Sequence, residues 1–385
     1  MSPISSRRPI PYAHQWVDRE DIEEVVKVLR SDWLTQGPRI KKFEDLLCQY
    51  TGARYAVAVS SGTAGLHIAC LAAGMGKGDE AITSSITFVA SANCAIYCGG
   101  RPVFADIQKD TINIDPKEIE KKINKKTAAI IPVHFAGHPC DLEEIRAIAK
   151  RHKLFVIEDA AHALGAEYKG ERIGSCKYSD MTVFSFHPVK HITTGEGGAV
   201  LTNRRGLYEK LLMLRNHGIT RDRRRLLAKD KGPWYYEMRL LGFNYRITDF
   251  QCALGISQLK KINRFLKRRR EIADIYDSGL SGIDGLELPC ERDYVSSGWH
   301  IYVIRVRGRA KRRMVYEAMS RSGITPSVHY RPVYLNPYYA DMGYRKGTCP
   351  KAEEYYSQAL TIPLYPRMSD REVLYVVKRV KEALE

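Results

Sequence analysis

The sequence predicts an α/β protein, with a large domain on a mostly parallel sheet and a smaller α/β domain after it. Three observations carry this. From about Thr51 to Asn203, short apolar runs alternate with helical patterns, the order of a parallel sheet covered on both faces. The segments rich in reactive side chains fall at the carboxyl ends of those runs, where such sheets form their sites. A long helical stretch, from about Ile247 to Leu280, then separates this region from a second mixture of helices and strands.

Taken in order, the first fifty residues read as an arm and one helix, Asp18–Asp32. The strands expected next are Tyr55–Val59, Glu80–Thr83, Arg101–Ala105, Ala128–His134, Leu154–Glu158, Thr182–Phe186 and Ala199–Thr202. Helices such as Thr63–Ala73, Ser91–Cys98 and Asp141–Arg151 lie between them. The last part predicts strands Gly298–Val306 and Thr325–His329 and helices Ala310–Ser322, Cys349–Leu360 and Ser369–Glu385. The expected domains are an arm over 1–20, a large domain over 21–248 and a small domain over 249–385.

The 385 residues suffice for two domains with at least one large core. No run approaches the ~20 apolar residues of a membrane helix, and Met-Ser-Pro-Ile-Ser-Ser-Arg-Arg lacks the apolar centre of a signal peptide. The nine cysteines are scattered, with no Cys-x-x-Cys pair. Reduced thiols in a cytoplasmic protein, without a metal site, are the expectation. The 61 basic against 44 acidic residues leave a net charge of +17. The basic clusters lie at Arg221–Arg225, Lys267–Arg270 and Arg305–Arg313, the last two read as solvated faces. Zinc-finger and RNA-recognition spacings are missing, so no nucleic-acid partner is expected. An anionic small molecule uses the charge equally well.

Four segments carry chemistry. Phe-Ser-Phe-His-Pro-Val-Lys-His-Ile-Thr-Thr-Gly-Glu-Gly-Gly (184–198) follows a strand and holds Lys190, which can form a Schiff base with an aldehyde. Proline fixes the backbone there and glycines let the chain pass close to a planar group. Ser60-Ser61-Gly62-Thr63-Ala64 opens a helix, as an ordinary N-cap or as a phosphate site. Leu-Phe-Val-Ile-Glu-Asp-Ala-Ala-His (154–162) ends a buried strand in Asp159, suited to a protonated ring nitrogen, to magnesium or to a capping role. His162 follows it, within reach of an oxygen on the same ring. Phe88, in Ile-Thr-Phe-Val-Ala, is either core or a stacking face, and Ser185 can add a phosphate contact.

Together these blocks resemble the DegT/StrS family of pyridoxal-phosphate (PLP)-dependent nucleotide-sugar aminotransferases. The resemblance begins at Ile10-Pro11-Tyr12 and Ser31-Asp32-Trp33-Leu34-Thr35-Gln36-Gly37-Pro38. It continues through Pro-Val-His-Phe-Ala-Gly and Leu-Gly-Phe-Asn-Tyr-Arg-Ile-Thr-Asp to Val-His-Tyr-Arg-Pro-Val-Tyr. It implies the aspartate-aminotransferase-like fold (PLP fold type I) and a homodimer with shared active sites. By family pattern Lys190 is the Schiff-base lysine and Asp159 the pyridinium partner. His162 contacts the phenolic oxygen, Phe88 stacks on the ring, and Gly62, Thr63 and Ser185 bind phosphate. Asn244 reaches the phosphate from the neighbouring subunit. Tyr12, Thr35, His187, His329 and Tyr330 are the expected substrate contacts.

Family members with histidine in place of the lysine act as dehydratases, so Lys190 implies transamination, with L-glutamate as donor and a nucleotide-linked keto sugar as acceptor. The 184–190 segment, Pro-Trp-Tyr-Tyr-Glu-Met (233–238) and the Ser-Asp-Trp-Leu-Thr-Gln-Gly-Pro block are similar to those of the enzymes that aminate UDP-4-keto-6-deoxy-N-acetylhexosamine for pseudaminic acid type biosynthesis. One departure is His191, where the family usually has proline. The alternatives are another keto sugar (dTDP- or GDP-linked, 3- or 4-keto) and a PLP-binding regulator without turnover, which an intact Lys190 argues against.

Overall fold

The computed structural model describes residues 9–228 and 231–385; the first eight residues of the expected arm lie outside the described residues. Seven strands form the large sheet: β1 Tyr55–Val59, β2 Glu80–Ser84, β3 Arg101–Ala105, β4 Thr127–Ile131, β5 Phe155–Asp159, β6 Met181–Ser185 and β7 Gly198–Thr202. Their order across the sheet is β1-β7-β6-β5-β4-β2-β3. β7 runs antiparallel to both its neighbours, and the remaining pairs are parallel.

Successive strand residues face opposite sides, and both sides are apolar. Val57, Val59, Ile131, Ile157, Val183 and Val200 pack into one core. Ala56, Ala58, Ile82, Ile130, Val156 and Phe184 pack into the other. Burial on both faces explains why these runs read as near-continuous apolar stretches rather than as alternation. Four helices near the site are α1 Arg19–Leu29, α2 Pro38–Thr51, α3 Gly62–Ala72 and α4 Ala90–Tyr97. α3 lies so close on the sheet that a Cβ on Gly65 would stand 2.8 Å from Val183 Cγ1.

Register sets the site. Gly198 of β7 pairs with Val59 and with Ser185, so the turn after β1 and the end of β6 meet beside it. A Cβ on Gly198 would fall 2.6 Å from the carbonyl carbon of Ser61, so only glycine permits this approach.

Several elements differ from expectation. The first fifty residues hold a second helix, α2, with Pro38 at its start and left-handed Gly52 at its end. Its Ile40, Phe43 and Leu47 enter the core. α1 is capped by Asp18, whose carboxylate accepts from Asp21 N–H while Asp21 accepts from Asp18 N–H. β4 stops before Pro132, and His134 turns inward to meet Glu158 at 2.7 Å. The stretch expected as one long helix is two, Asp249–Lys260 and Ile262–Leu280, meeting at Lys261.

The first of these two helices packs Cys252, Ile256 and Leu259 into the core of the large sheet. The second contributes Ile272, Ala273, Tyr276 and Leu280 to a separate core. The change of core therefore lies within Ile262–Leu280. The smaller unit holds an antiparallel sheet of Leu286–Glu287, Tyr302–Val306 and Ala359–Ile362. The last strand had read as the end of a helix, which is in fact Pro350–Gln358. The expected strand Thr325–His329 shrinks to Ile324–Thr325, paired in parallel with Ile10–Pro11, which ties the arm to this unit. The basic cluster Lys267–Arg270 is not wholly a solvated face, since Arg269 is fully buried.

Candidate active site

At the carboxyl ends of β1, β5 and β6 lies a cavity of about 490 Å³. Most of its wall comes from strand ends, with Tyr12, His329 and Tyr330 closing the remaining side. After β1, the Ser61 hydroxyl accepts from Ala64 N–H at 3.1 Å and starts α3. The N–H groups of Gly62 and Thr63 belong to the first helical turn, which has no intrahelical acceptor for them. Both residues line the cavity. A Cβ on Gly62 would stand 2.9 Å from Ser185 Cβ, so the Ser185 hydroxyl sits against the helix start. These donors and the helix dipole form an anion cradle.

Asp159 ends β5 and is 6% exposed. Its Oδ2 accepts from Ser91 Oγ at 2.5 Å and its Oδ1 from Ala161 N–H at 3.1 Å. Ser91 in turn shares a 2.7 Å hydrogen bond with Thr87. Among the described residues, no basic side chain forms an ion pair with Asp159. A buried carboxylate with two oriented donors and no directly paired cation leaves a place in its electrostatics that a protonated ring nitrogen fills. Phe88 lines the same cavity and is 59% exposed, so it is not core.

Lys190 enters from the turn after β6, held by a hydrogen bond from its N–H to the His187 carbonyl. Burial pushes its ammonium down to about 8, while Asp159 pulls the other way and Arg269 adds to the fall. A lysine so placed is a usable nucleophile and base near neutral pH. His162 is buried; its Nε2 lies 3.2 Å from the Tyr330 hydroxyl, and its Nδ1 has no partner among the described residues. Burial first, then Lys190 and neighbouring histidines, hold this imidazole well below its ordinary pKa, hence neutral. His329 bonds Thr361 Oγ1 at 2.8 Å through Nδ1, and burial lowers it to about 4.

The cavity thus brings together Tyr12, Gly62, Thr63, Phe88, Asp159, His162, Ser185, His187, Lys190, His329 and Tyr330. Two expected residues are elsewhere. Thr35 bridges to Thr248 and lines a separate arginine-rich cleft of about 980 Å³. Asn244 pairs with Asn216 near that cleft, although the Ser60 N–H donates to the carbonyl of the next residue, Tyr245, at 2.9 Å. Three buried residues beside the cavity, Ser91, His300 and Arg269, were not singled out from the sequence. Ser91 opens the expected helix Ser91–Cys98, three positions after Phe88. His300 and Arg269 had no local signal, because an apolar run and a basic helix face concealed them.

These features fit a planar pyridine aldehyde bearing a phosphate. The anion cradle, the uncompensated Asp159, the open face of Phe88 and the Lys190 amine are each placed for one part of such a group. The model of the DegT/DnrJ/EryC1/StrS aminotransferase family matches residues 15–381. The chain belongs to this family. It is 41% identical over 381 residues to the spore coat polysaccharide biosynthesis protein SpsC of Bacillus subtilis, covering 98% of this chain and 97% of that one. The PLP form of Spr1654 from Streptococcus pneumoniae superposes with a TM-score of 0.91, at 32% identity over 98% of both chains. PseC of Helicobacter pylori, an aminotransferase of pseudaminic acid biosynthesis, gives 0.90 at 32% identity over 98% of this chain and 99% of its own. The fold is PLP fold type I, and the protein is a PLP-dependent sugar aminotransferase.

Among the described residues, no helix is long and apolar enough to cross a membrane, and no cluster of three or more His, Cys, Asp or Glu side chains is arranged to hold a metal ion.

Proposed function

We propose that the chain transfers an amino group from L-glutamate to UDP-4-keto-6-deoxy-N-acetylhexosamine, in pseudaminic acid type biosynthesis of a surface polysaccharide, as a cytoplasmic homodimer. The observation that carries this reading is the Lys190–Asp159 cavity, in a chain that PseC matches along nearly its whole length. When bound, PLP supplies an electron sink for the charge developing on the substrate carbon.

The chain's own residues do the rest. Asp159, oriented by Ser91 and Ala161 N–H, keeps positive charge at the ring-nitrogen end of the site. Gly62, Thr63 and Ser185 bind the phosphate, and Phe88 and His162 fix the plane of the ring. Lys190 Nζ takes the proton from Cα of glutamate, and in the second half-reaction delivers one to the former carbonyl carbon of the sugar. Tyr12, His187, His329 and Tyr330 line the side open to substrate. Thr35 and Asn244 serve the partner's site. Trp33, Leu34, Leu227, Trp234, Met238 and Leu241 are exposed, an apolar surface suited to a second copy.

A second reading has its own support. SpsC, at 41% identity, is named only for a spore coat polysaccharide, which favours another nucleotide-linked keto sugar with the same chemistry. Incubation with glutamate and a panel of UDP-, dTDP- and GDP-linked 3-keto and 4-keto sugars separates the two. The first reading expects a 4-amino product from the UDP-linked N-acetyl sugar at the highest kcat/KM; a dTDP- or GDP-linked sugar turned over faster replaces it with the second.

A further inference from the structure

Beneath Lys190 lies a layer of imidazoles. His300, 2% exposed, places Nε2 3.5 Å from Lys190 Nζ. Its ring centroid is 4.3 Å from that of His162 and 5.6 Å from that of His191. The backbone that carries it is pinned at three successive carbonyls. His191 Nε2 donates to Gly298 O at 2.8 Å. The Arg269 guanidinium donates to Trp299 O at 3.1 Å and His300 O at 3.0 Å. The His300 N–H donates to Ala136 O at 2.8 Å. A buried guanidinium paired with carbonyls rather than with a carboxylate is costly to desolvate. Here it immobilises the segment that presents one imidazole to the reactive lysine.

The His300 ring has a single directed contact. Its Nδ1 has no partner among the described residues, so the approach to Lys190 through Nε2 is what its orientation serves. Burial, with His162, Lys190, His191 and Arg269 around it, keeps His300 neutral. A neutral imidazole has one lone pair, which at Nε2 accepts an N–H.

We propose that His300 is the positioning residue that receives the Lys190 amine whenever the lysine is free of cofactor, accepting an Nζ–H at Nε2 and keeping Nζ aimed into the cavity. This rests on the reading of Lys190 as the cofactor lysine. The acceptor favours ammonium over amine and so offsets part of the burial effect. The other titratable or charged groups facing the pair are Asp159 from β5, His162 and His329 from neighbouring loops, His191 and Arg269.

The test uses apoprotein mixed with PLP between roughly pH 6 and 10, followed by borohydride trapping and mass-spectrometric counting of label on Lys190. For the wild type the midpoint of the capture rate is expected near about 8. In His300→Phe it falls by about one unit, because a hydrogen bond to a charged group is lost. The kcat with glutamate falls about tenfold at unchanged KM, as for an interaction that aims the base rather than binds substrate. His300→Gln, whose Oε1 reaches the Nε2 position, restores the midpoint. His300→Asn, whose oxygen falls short of it, behaves as the Phe variant and serves if Phe does not fold. A midpoint unmoved in Phe and Asn, or not restored by Gln, overturns the proposal. No wild-type label at Lys190 at any pH instead overturns the functional reading beneath it.

Discussion

The Lys190 cavity and the arginine-rich cleft are both large enough for a ligand, yet they are built differently. The cleft is twice the volume, about 980 against 490 Å³. Its charges are largely satisfied: Arg215 by the buried Glu44 at 2.7 Å, and nearer the surface Arg205 by Glu209 at 3.0 Å and Arg224 by Asp222 at 2.8 Å. Nothing in it is both reactive and desolvated. The smaller cavity holds a carboxylate with no ion-pair partner among the described residues, a lysine shifted toward neutrality and the neutral imidazoles of His162 and His329, held on strand ends and the loops beside them. Volume does not locate chemistry; desolvated groups held in mutual orientation do.

The sharpest way to break this comparison is Lys190→Ala. If the cavity holds the chemistry, the variant folds but loses at least about 10³-fold in transamination, since both the general base and the covalent anchor are gone. Borohydride no longer links cofactor to protein. Turnover at the wild-type rate would move the chemistry elsewhere. Asp159→Asn comes next. It keeps the size of the side chain and removes the charge proposed to face the ring nitrogen. A lost buried charge contact of about 3 kcal/mol predicts roughly a hundredfold slower reaction with glutamate. The decay of the bound cofactor's absorbance after mixing with glutamate measures it, and a change of less than about threefold with cofactor still bound would assign the ring nitrogen to another acid.

The third experiment asks whether the two regions belong to one site or to two subunits. Asn244→Asp places a negative charge where a phosphate contact is expected and should by itself inactivate. Mixed under exchange conditions with Lys190→Ala, it should restore activity. Random pairing makes half the dimers mixed, each with one intact site of two, or about one quarter of wild-type activity. The Ser60-to-Tyr245 hydrogen bond keeps the opposite outcome open to measurement, because it draws this segment toward its own chain's phosphate turn. Absence of restoration would place Asn244 in its own subunit's site.

The same contrast explains what was legible in the sequence. Six of the seven large-sheet strands lie within two residues of expectation, because burial on both faces writes an unbroken apolar run. Gly62, Asp159, Ser185 and Lys190 were readable because each lies at or just after such a run, Gly62 after β1, Asp159 at the end of β5, Ser185 and Lys190 from β6 onward, whereas Tyr12, His187, His329 and Tyr330 were named through the family resemblance alone. β4 was overextended to His134, since Pro132 and the inward turn to Glu158 leave the run apolar while ending the strand. α2 was missed despite Pro38, Gly52 and a spaced apolar stripe. His300 stayed hidden because its role comes from a tertiary contact 110 positions from Lys190 in the chain. Arg269 was hidden because a helix face of four basic residues gives no sign of which one turns inward.

The smallest effect tests whether the cavity's secondary hydrogen bonds matter at all. Ser91 donates to Asp159 Oδ2 at 2.5 Å, and Thr87 is its other side-chain partner at 2.7 Å. Ser91→Ala leaves the carboxyl group in place, still held at Oδ1 by Ala161 N–H, but free to rotate about that contact. The loss of one donor to a buried anion is worth about 1–2 kcal/mol, so the reaction with glutamate should slow by roughly tenfold, well short of the Asp159→Asn loss. Thr87→Ala, one bond further out, should change the rate less than about threefold. If Ser91→Ala were as damaging as Asp159→Asn, the serine would be contacting the reacting group itself. If it were neutral, the strand end alone would orient the carboxylate, and the rigidity that distinguishes this cavity from the cleft would reside in the backbone rather than in its buried side chains.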